Sequence, residues 1–169
     1  REPGGSVTAE KIRNLIFNSK NKFDKLTDFF LMLASRNEHL NKKILVAKKN
    51  KKILICDRFV DSTFAYQVVG NKINSKINLL NNNYILKNLK PNLTIILKSN
   101  IKAINQRLKK RKNKNKFDKL RNSFHIKMQK TFIKLAKEKK NYIVFDSTAN
   151  DKNLEKKILD LVISKLKKI

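Results

Sequence analysis

An acid and an arginine stand side by side at Asp57 and Arg58, directly after four apolar residues, Ile53, Leu54, Ile55 and Cys56. A continuous aliphatic run without alternation predicts a strand buried on both faces. The carboxyl end of such a strand is where open α/β sheets bind ligands. There the forked guanidinium of Arg58 suits a phosphate, because it can donate two parallel hydrogen bonds. The Asp57 carboxylate suits a magnesium ion or its water shell. Asp61, Ser62 and Thr63 then read as a helix start ahead of the short segment 64–69.

Two further cationic features could do chemistry. Arg36 lies on or beside an apolar stripe formed by Leu26, Phe29, Phe30, Leu33, Leu40 and Ile44, with Met32 one turn before it. A guanidinium on an apolar face needs a partner. That partner is either a structural acid or a ligand, and the nearby Asp57-Arg58 pair favours the ligand. The run 109–116, KKRKNKNK, cannot pack and is expected to be exposed and mobile. It is either a solvated loop or a cationic lid over a triphosphate.

Several elements must hold these groups. Pro3, Gly4 and Gly5 predict a tight loop at the start. Ile12, Leu15 and Ile16 mark a short helix, and Ile73, Ile77, Leu80 and Tyr84 mark another that ends by Pro91. Residues 93–97 (LTIIL) and 142–145 (YIVF) read as two more buried strands, the second ending at Asp146. Helices are also expected from Ile101, Ile104 and Leu108, from Phe124, Met128, Phe132 and Leu135, and from Leu154, Ile158, Leu161, Val162 and Leu166. Helices alternating with short buried strands predict an α/β domain with a parallel sheet. With no internal repeat and no linker, residues 1–169 read as one domain.

Composition sets limits. Of 169 residues, 40% are hydrophobic, which fits a globular chain and not a disordered basic tail. Lys and Arg number 41 against 13 acids, a net charge of +28, which alone would suggest a polyanion partner. The lysines are spread over nearly every helix and accompany many Asn and Ile residues, so a solvated lysine surface is the better reading and nucleic acid is not expected. No apolar run reaches membrane-span length and no signal peptide is visible, so a cytoplasmic protein is expected. The single cysteine excludes an internal disulfide. Two histidines and one cysteine far apart in sequence predict no zinc cluster.

Five motifs in order then carry a family resemblance. REPGG at 1–5, LMLASRNEHL at 31–40, CDRFVDSTFAYQ at 56–67, KPNLTIIL at 90–97 and FHIKMQKTFIKLA at 124–136 resemble the corresponding segments of bacterial thymidylate kinases. The resemblance implies a P-loop nucleoside monophosphate kinase fold with five parallel strands flanked by helices. It implies transfer of the γ-phosphoryl group of ATP to dTMP, with magnesium, in a homodimer. Arg58 matches the arginine that holds the dTMP phosphate, and Asp57 matches an acid beside the phosphates and the metal. Arg36 matches the arginine on the thymine edge, and Met32 stands where a Phe usually stacks on the base. Ser62, Thr63 and Gln67 match pocket positions, Tyr66 matches the tyrosine on the sugar, and Glu2 and Pro3 lie on the loop over the acceptor. Residues 109–120 match the lid. Its candidate catalytic cation is Lys116, with Arg111 and Arg121 as rivals.

The chain departs from the family pattern at its start. The Gly-rich phosphate loop, the first strand and the first helix are not in the sequence, and by the size of a βαβ unit about 35 to 40 residues would precede Arg1. Residues 1–169 alone are therefore expected to be inactive and poorly stable. Two other readings stay open. A deoxynucleoside kinase would not need Arg58 as a phosphate clamp, and thymidine against dTMP as acceptor separates it. A basic nucleic-acid-binding protein predicts steeply salt-dependent DNA binding.

Overall fold

A computed structural model of the chain describes residues 1–18, 20–87 and 89–167. Helices dominate. In chain order they are α1 (Val7–Phe17), α2 (Lys25–His39), α3 (Leu45–Lys49), α4 (Val60–Thr63), α5 (Ser75–Leu80), α6 (Ile101–Lys110), α7 (Asn122–Lys137) and α8 (Lys152–Leu166). A π-helical turn at Leu40–Ile44 joins α2 to α3, and two others, Phe64–Gly70 and Asn81–Leu86, extend α4 and α5. Such wide turns recur at functional sites. Here two of them carry residues of the candidate site.

The starts of the longer helices follow from local chemistry. Ser6 caps α1 by accepting from the Ala9 amide, and Asp24 caps α2 by accepting from Leu26 and Thr27. Asn100 and Asp151 do the same for α6 and α8. Each cap satisfies an amide that the helix cannot. The face of α2 carrying Phe29, Met32, Leu33 and Arg36 is buried, and it packs on α1, where Ala9 and Ile16 are buried. A second cluster joins Leu40, Ile44 and Leu86 with Phe59 and Val60 beside them.

Two strands, β1 (Thr94–Lys98) and β2 (Tyr142–Asp146), pair in parallel, with Ile96 opposite Val144. Their apolar residues are the runs read as strands from the sequence, and α7 packs on both. The strand expected at 53–56 does not form among the described residues. The segment has no regular secondary structure and makes no ladder, and Ile53 and Ile55 are 68% and 88% exposed. Its apolar run seeks burial, but neither β1 nor β2 pairs with it. Near this end the Asp57 carbonyl accepts from the Glu2 amide at 2.9 Å, and the Cys56 thiol donates to the Arg58 carbonyl at 3.2 Å. The helix start expected at Asp61 is also different. Helix α4 begins at Val60 without a side-chain cap. The Asp61 carboxylate instead accepts from the Tyr142 hydroxyl at 2.7 Å and from Lys139 Nζ at 3.1 Å. A distant pair of donors has won it from the local amides, and it fastens α4 to the start of β2. Tyr84, expected on a packed helix face, is largely exposed.

Candidate active site

The loop 1–5 is the first wall of the site. Gly4 and Gly5 adopt left-handed φ values of 116° and 94°. Their amides donate to Ser35 Oγ at 3.0 Å and to Glu10 Oε1 at 2.9 Å. A Cβ on Gly4 would meet the Glu10 carboxyl, so the absence of a side chain there is steric as well as conformational. From α1, Arg13 donates to the Pro3 carbonyl at 2.8 Å. The loop is thereby held against α1, α2 and Asp57 at once.

That loop delivers Glu2 to a buried arginine. Arg36, only 3% exposed, donates from Nε to Glu2 Oε2 at 2.7 Å, from one terminal nitrogen to Asn81 Oδ1 at 2.9 Å, and from the other to Thr63 Oγ1 at 2.8 Å. Its guanidinium also lies 5.7 Å from the Phe59 ring centre. Three of its five N–H groups are committed, and two remain for a ligand. The expected partner on the apolar face is thus partly an acid of the protein itself. Met32, one turn before Arg36 on α2, is buried, and Gln67 on the π turn after α4 is buried as well, while Ser62 is half-buried.

Arg58 reaches the same neighbourhood from the other side of the turn. It has a left-handed φ of 63°, a strained conformation for a residue with a Cβ. Its guanidinium stacks 5.2 Å above the Tyr66 ring centre. Tyr66 is half-buried within an aromatic group, with Phe117 at 5.0 Å, Phe124 at 5.9 Å and Phe132 at 6.4 Å. Asp57 and Arg58 are exposed, so this end of the site lies open to solvent and is not the enclosed strand end expected from the sequence. Two cavities among the described residues lie elsewhere. One, of about 390 Å³, runs along α7 and Val69, and the other, of about 350 Å³, lies between Leu40 and Leu86.

The lid is more organised than its composition suggests. Phe117 sits between Tyr66 and Phe17, 6.2 Å from the latter. Lys116 pairs with Asp28, a buried carboxylate on α2. Arg111 makes a two-oxygen pair with Asp118 at 2.8 Å, and Asp118 also accepts from the Asn115 amide. Arg121 lies exposed at the start of α7.

Sequence reasoning missed three participants. Arg13 stacks 4.8 Å from the Phe17 ring, is held below its ordinary value by burial and by Arg1, and senses the charges of Asp57 and Arg58. It therefore belongs to the same charged cleft. Asn81 had no signal beyond its place in an Asn run, yet it is fully buried on Arg36. His39 stands within 3.2 Å of Glu2, and the two approach Cys56. The expectation that no histidine and cysteine come together is thereby overturned, because segments distant in sequence meet at the loop 1–5. Burial, with Glu2 adding, pushes the Cys56 thiol up. Cys56 is half-buried and not a core residue of a strand.

The arrangement offers a buried, hydrogen-bond-organised arginine for a flat polar edge, an aromatic face for a ring or sugar, and exposed guanidinium groups for a phosphate. Comparisons with known proteins show what the chain is similar to. The family model described as thymidylate kinase matches residues 1–158. The chain is 40% identical to a thymidylate kinase of Aster yellows witches'-broom phytoplasma, over 100% of this chain and 82% of the relative. It is 38% identical to one from Mycoplasma genitalium, over 92% of this chain and 74% of the relative. Among solved structures, thymidylate kinase from Ehrlichia chaffeensis superposes with a TM-score of 0.72 at 26% identity, covering 96% of this chain and 77% of that one.

Proposed function

The chain belongs to the thymidylate kinase family, with the family's α/β nucleoside monophosphate kinase fold, and from that premise we propose how its own residues serve the reaction. The function is phosphorylation of dTMP to dTDP, with ATP as phosphoryl donor. Phosphoryl transfer between two anions is limited by repulsion and alignment, so the protein must supply fixed cations and positioning.

In our reading Arg58 clamps the dTMP phosphate, with Arg13 beside it. Arg36 addresses the thymine edge with the N–H groups that Glu2, Thr63 and Asn81 leave unused. Met32, Ser62, Thr63 and Gln67 line the base side, and Tyr66 lies under the sugar. Glu2 and Pro3 form the loop over the acceptor. The observation that carries this reading is the convergence of Arg36 and Arg58 on one turn, the former bonded to Thr63 and the latter stacked on Tyr66. Isothermal titration of dTMP tests it. Arg58→Ala should lose most of its affinity for dTMP while thymidine binding changes little, and equal losses for both would refute the phosphate role.

Residues 109–120 act as the lid in this proposal, with Lys116 as the cation nearest the aromatic cleft and Arg111 and Arg121 further out. Magnesium fits as a hydrated ion at Asp57. A single exposed carboxylate suits a metal that keeps several of its waters. When bound, the ion would offset the charge of the ATP phosphates. We also propose a homodimer, supported by Leu26 and Phe30, which lie one turn apart on the outer face of α2 and are both exposed. Sedimentation equilibrium of Phe30→Lys would check this, with loss of the dimer expected. Among the described residues no helix is long and apolar enough to cross a membrane. A cytoplasmic location goes with the two nucleotide substrates and is part of the same proposal.

A further inference from the structure

We propose that Glu2, His39 and Cys56 together form a binding site for a thiophilic divalent cation of the zinc class. The three come from separate parts of the chain: the loop 1–5, the end of α2 and the irregular segment before Asp57. Each presents one ligand atom, and these atoms all lie within 4.8 Å of one another. Glu2 Oε1 and His39 Nδ1 are 3.2 Å apart. Two ligands of a tetrahedral zinc ion, at their usual bond lengths, are separated by about 3.3 to 3.7 Å. The carboxylate and the imidazole therefore already have the spacing of a shared ion, and a shift of roughly 1 Å by the Cys56 sulfur would complete it.

The division of labour on Glu2 makes the site compatible with the rest of the cleft. Its Oε2 accepts from Arg36 Nε, while Oε1 faces His39. An ion on Oε1 would leave the Arg36 pair intact, with the carboxylate bridging metal and guanidinium. A ligating carboxylate that is itself hydrogen-bonded is the usual way such ligands are oriented. The imidazole is also fixed in place. A Cβ on Gly5 would come within 2.5 Å of the His39 ring, so only glycine lets the loop close over it. Glu2 and His39 are both buried, whereas Cys56 is half-buried, which leaves one side of the triad open for a water as fourth ligand.

The donor set chooses the metal. Sulfur and imidazole nitrogen favour zinc, cobalt or copper over magnesium, whose ligands are oxygens. The site is therefore distinct in chemistry from the magnesium position at Asp57, and it does not rest on the kinase reading. On binding, the Cys56 S–H bond breaks and its proton passes to solvent, the proton shared between His39 Nδ1 and Glu2 Oε1 leaves to solvent or to His39 Nε2, and the thiolate sulfur and Nδ1 each donate an electron pair to the ion. No electron transfer is involved.

Cobalt(II) serves as the probe, because a tetrahedral thiolate complex has a sulfur-to-metal absorption band that oxygen and nitrogen ligands alone do not give. Titration of the metal-free chain should show one equivalent of Co²⁺ bound, with that band, and displacement by Zn²⁺. In Cys56→Ser the band should vanish and the affinity fall by roughly tenfold or more. His125→Gln, which removes the other histidine, should bind as the parent does. Circular dichroism of Cys56→Ser establishes that it is folded. Absence of a sulfur band in the parent chain would overturn the proposal, as would equal Co²⁺ affinity in parent and Cys56→Ser.

Discussion

Arg58 holds its guanidinium 5.2 Å above the centre of the Tyr66 ring, from a backbone at φ 63°. The contact orients the fork toward the open end of the site, and the backbone conformation that allows it is unfavourable for any residue with a Cβ. Stability and function should therefore separate at this position. Arg58→Ala should lower turnover of the active kinase by more than about tenfold, since a charged hydrogen bond is worth roughly 1.5–3 kcal/mol. Arg58→Gly should be equally impaired, yet more stable than Arg58→Ala by about 1 kcal/mol, because glycine is at ease at this φ. Urea melts and steady-state kinetics on both variants check this. Near-normal turnover in either would remove Arg58 from the site.

Arg36 has a structural debt as well as a ligand to serve. Truncation to Ala strands the buried Glu2 carboxylate and empties the partners on Thr63 and Asn81. Breaking a buried ion pair from one side costs about 3–5 kcal/mol. We expect Arg36→Ala to lose stability of that order together with dTMP affinity, while ATP affinity changes little. A thermal melt and separate nucleotide titrations measure the three quantities. A loss confined to ATP would contradict the placement of Arg36.

The lid is tied down by one exposed lysine on one buried carboxylate. Asp28→Asn keeps the shape of that side chain but removes its charge, so Lys116 should come away from α2. Limited trypsin digestion should then cut within residues 109–119 several-fold faster than in the parent chain. Unchanged cleavage would show that Phe117 and its aromatic neighbours hold the lid without the ion pair.

Asp61, Lys139 and Tyr142 form a hydrogen-bonded triad in which Lys139 and Tyr142 both hold their protons more firmly than usual. Burial, with Asp61 adding, holds the Tyr142 phenol above its ordinary value of 10.0. At Lys139 burial opposes the charge, but hydrogen bonds to Tyr142 and Asp61 outweigh it and the value is raised. Both groups hold their protons more firmly in the folded chain than in the unfolded one. Their stabilisation is thus complete below about pH 10 and is lost as pH rises through the folded values. Tyr142→Phe should cost about 1 kcal/mol near neutrality and flatten the alkaline decline. Urea midpoints across pH 8 to about 11 test the slope.

These residues also show how far the sequence could be read. The runs that became β1 and β2 rest on local chemistry, so the reading and the structure agree there. The segment 53–56 is an aliphatic run like the Ile95–Leu97 core of β1, but a strand also needs a neighbour, and composition does not say whether one is present. Asp61 looked like a cap because only nearby amides are visible in a sequence, and its actual donors lie about 80 residues away. The need of Arg36 for a partner was readable from its place on an apolar stripe. That the partner would be Glu2, with His39 and Cys56 behind it, depended on how the loop 1–5 folds back.

The open edge at Ile53 and Ile55 makes the colloidal behaviour of the chain a matter of ionic strength. An exposed apolar segment outside any sheet invites strand addition by another copy, and flanking lysines such as Lys51 and Lys52 discourage it. A net charge of +28 keeps copies apart in dilute buffer, but that repulsion reaches only about 10 Å at 0.1 M salt and about 3 Å at 1 M. Light scattering should therefore rise as salt is added, and Ile55→Lys should suppress the rise.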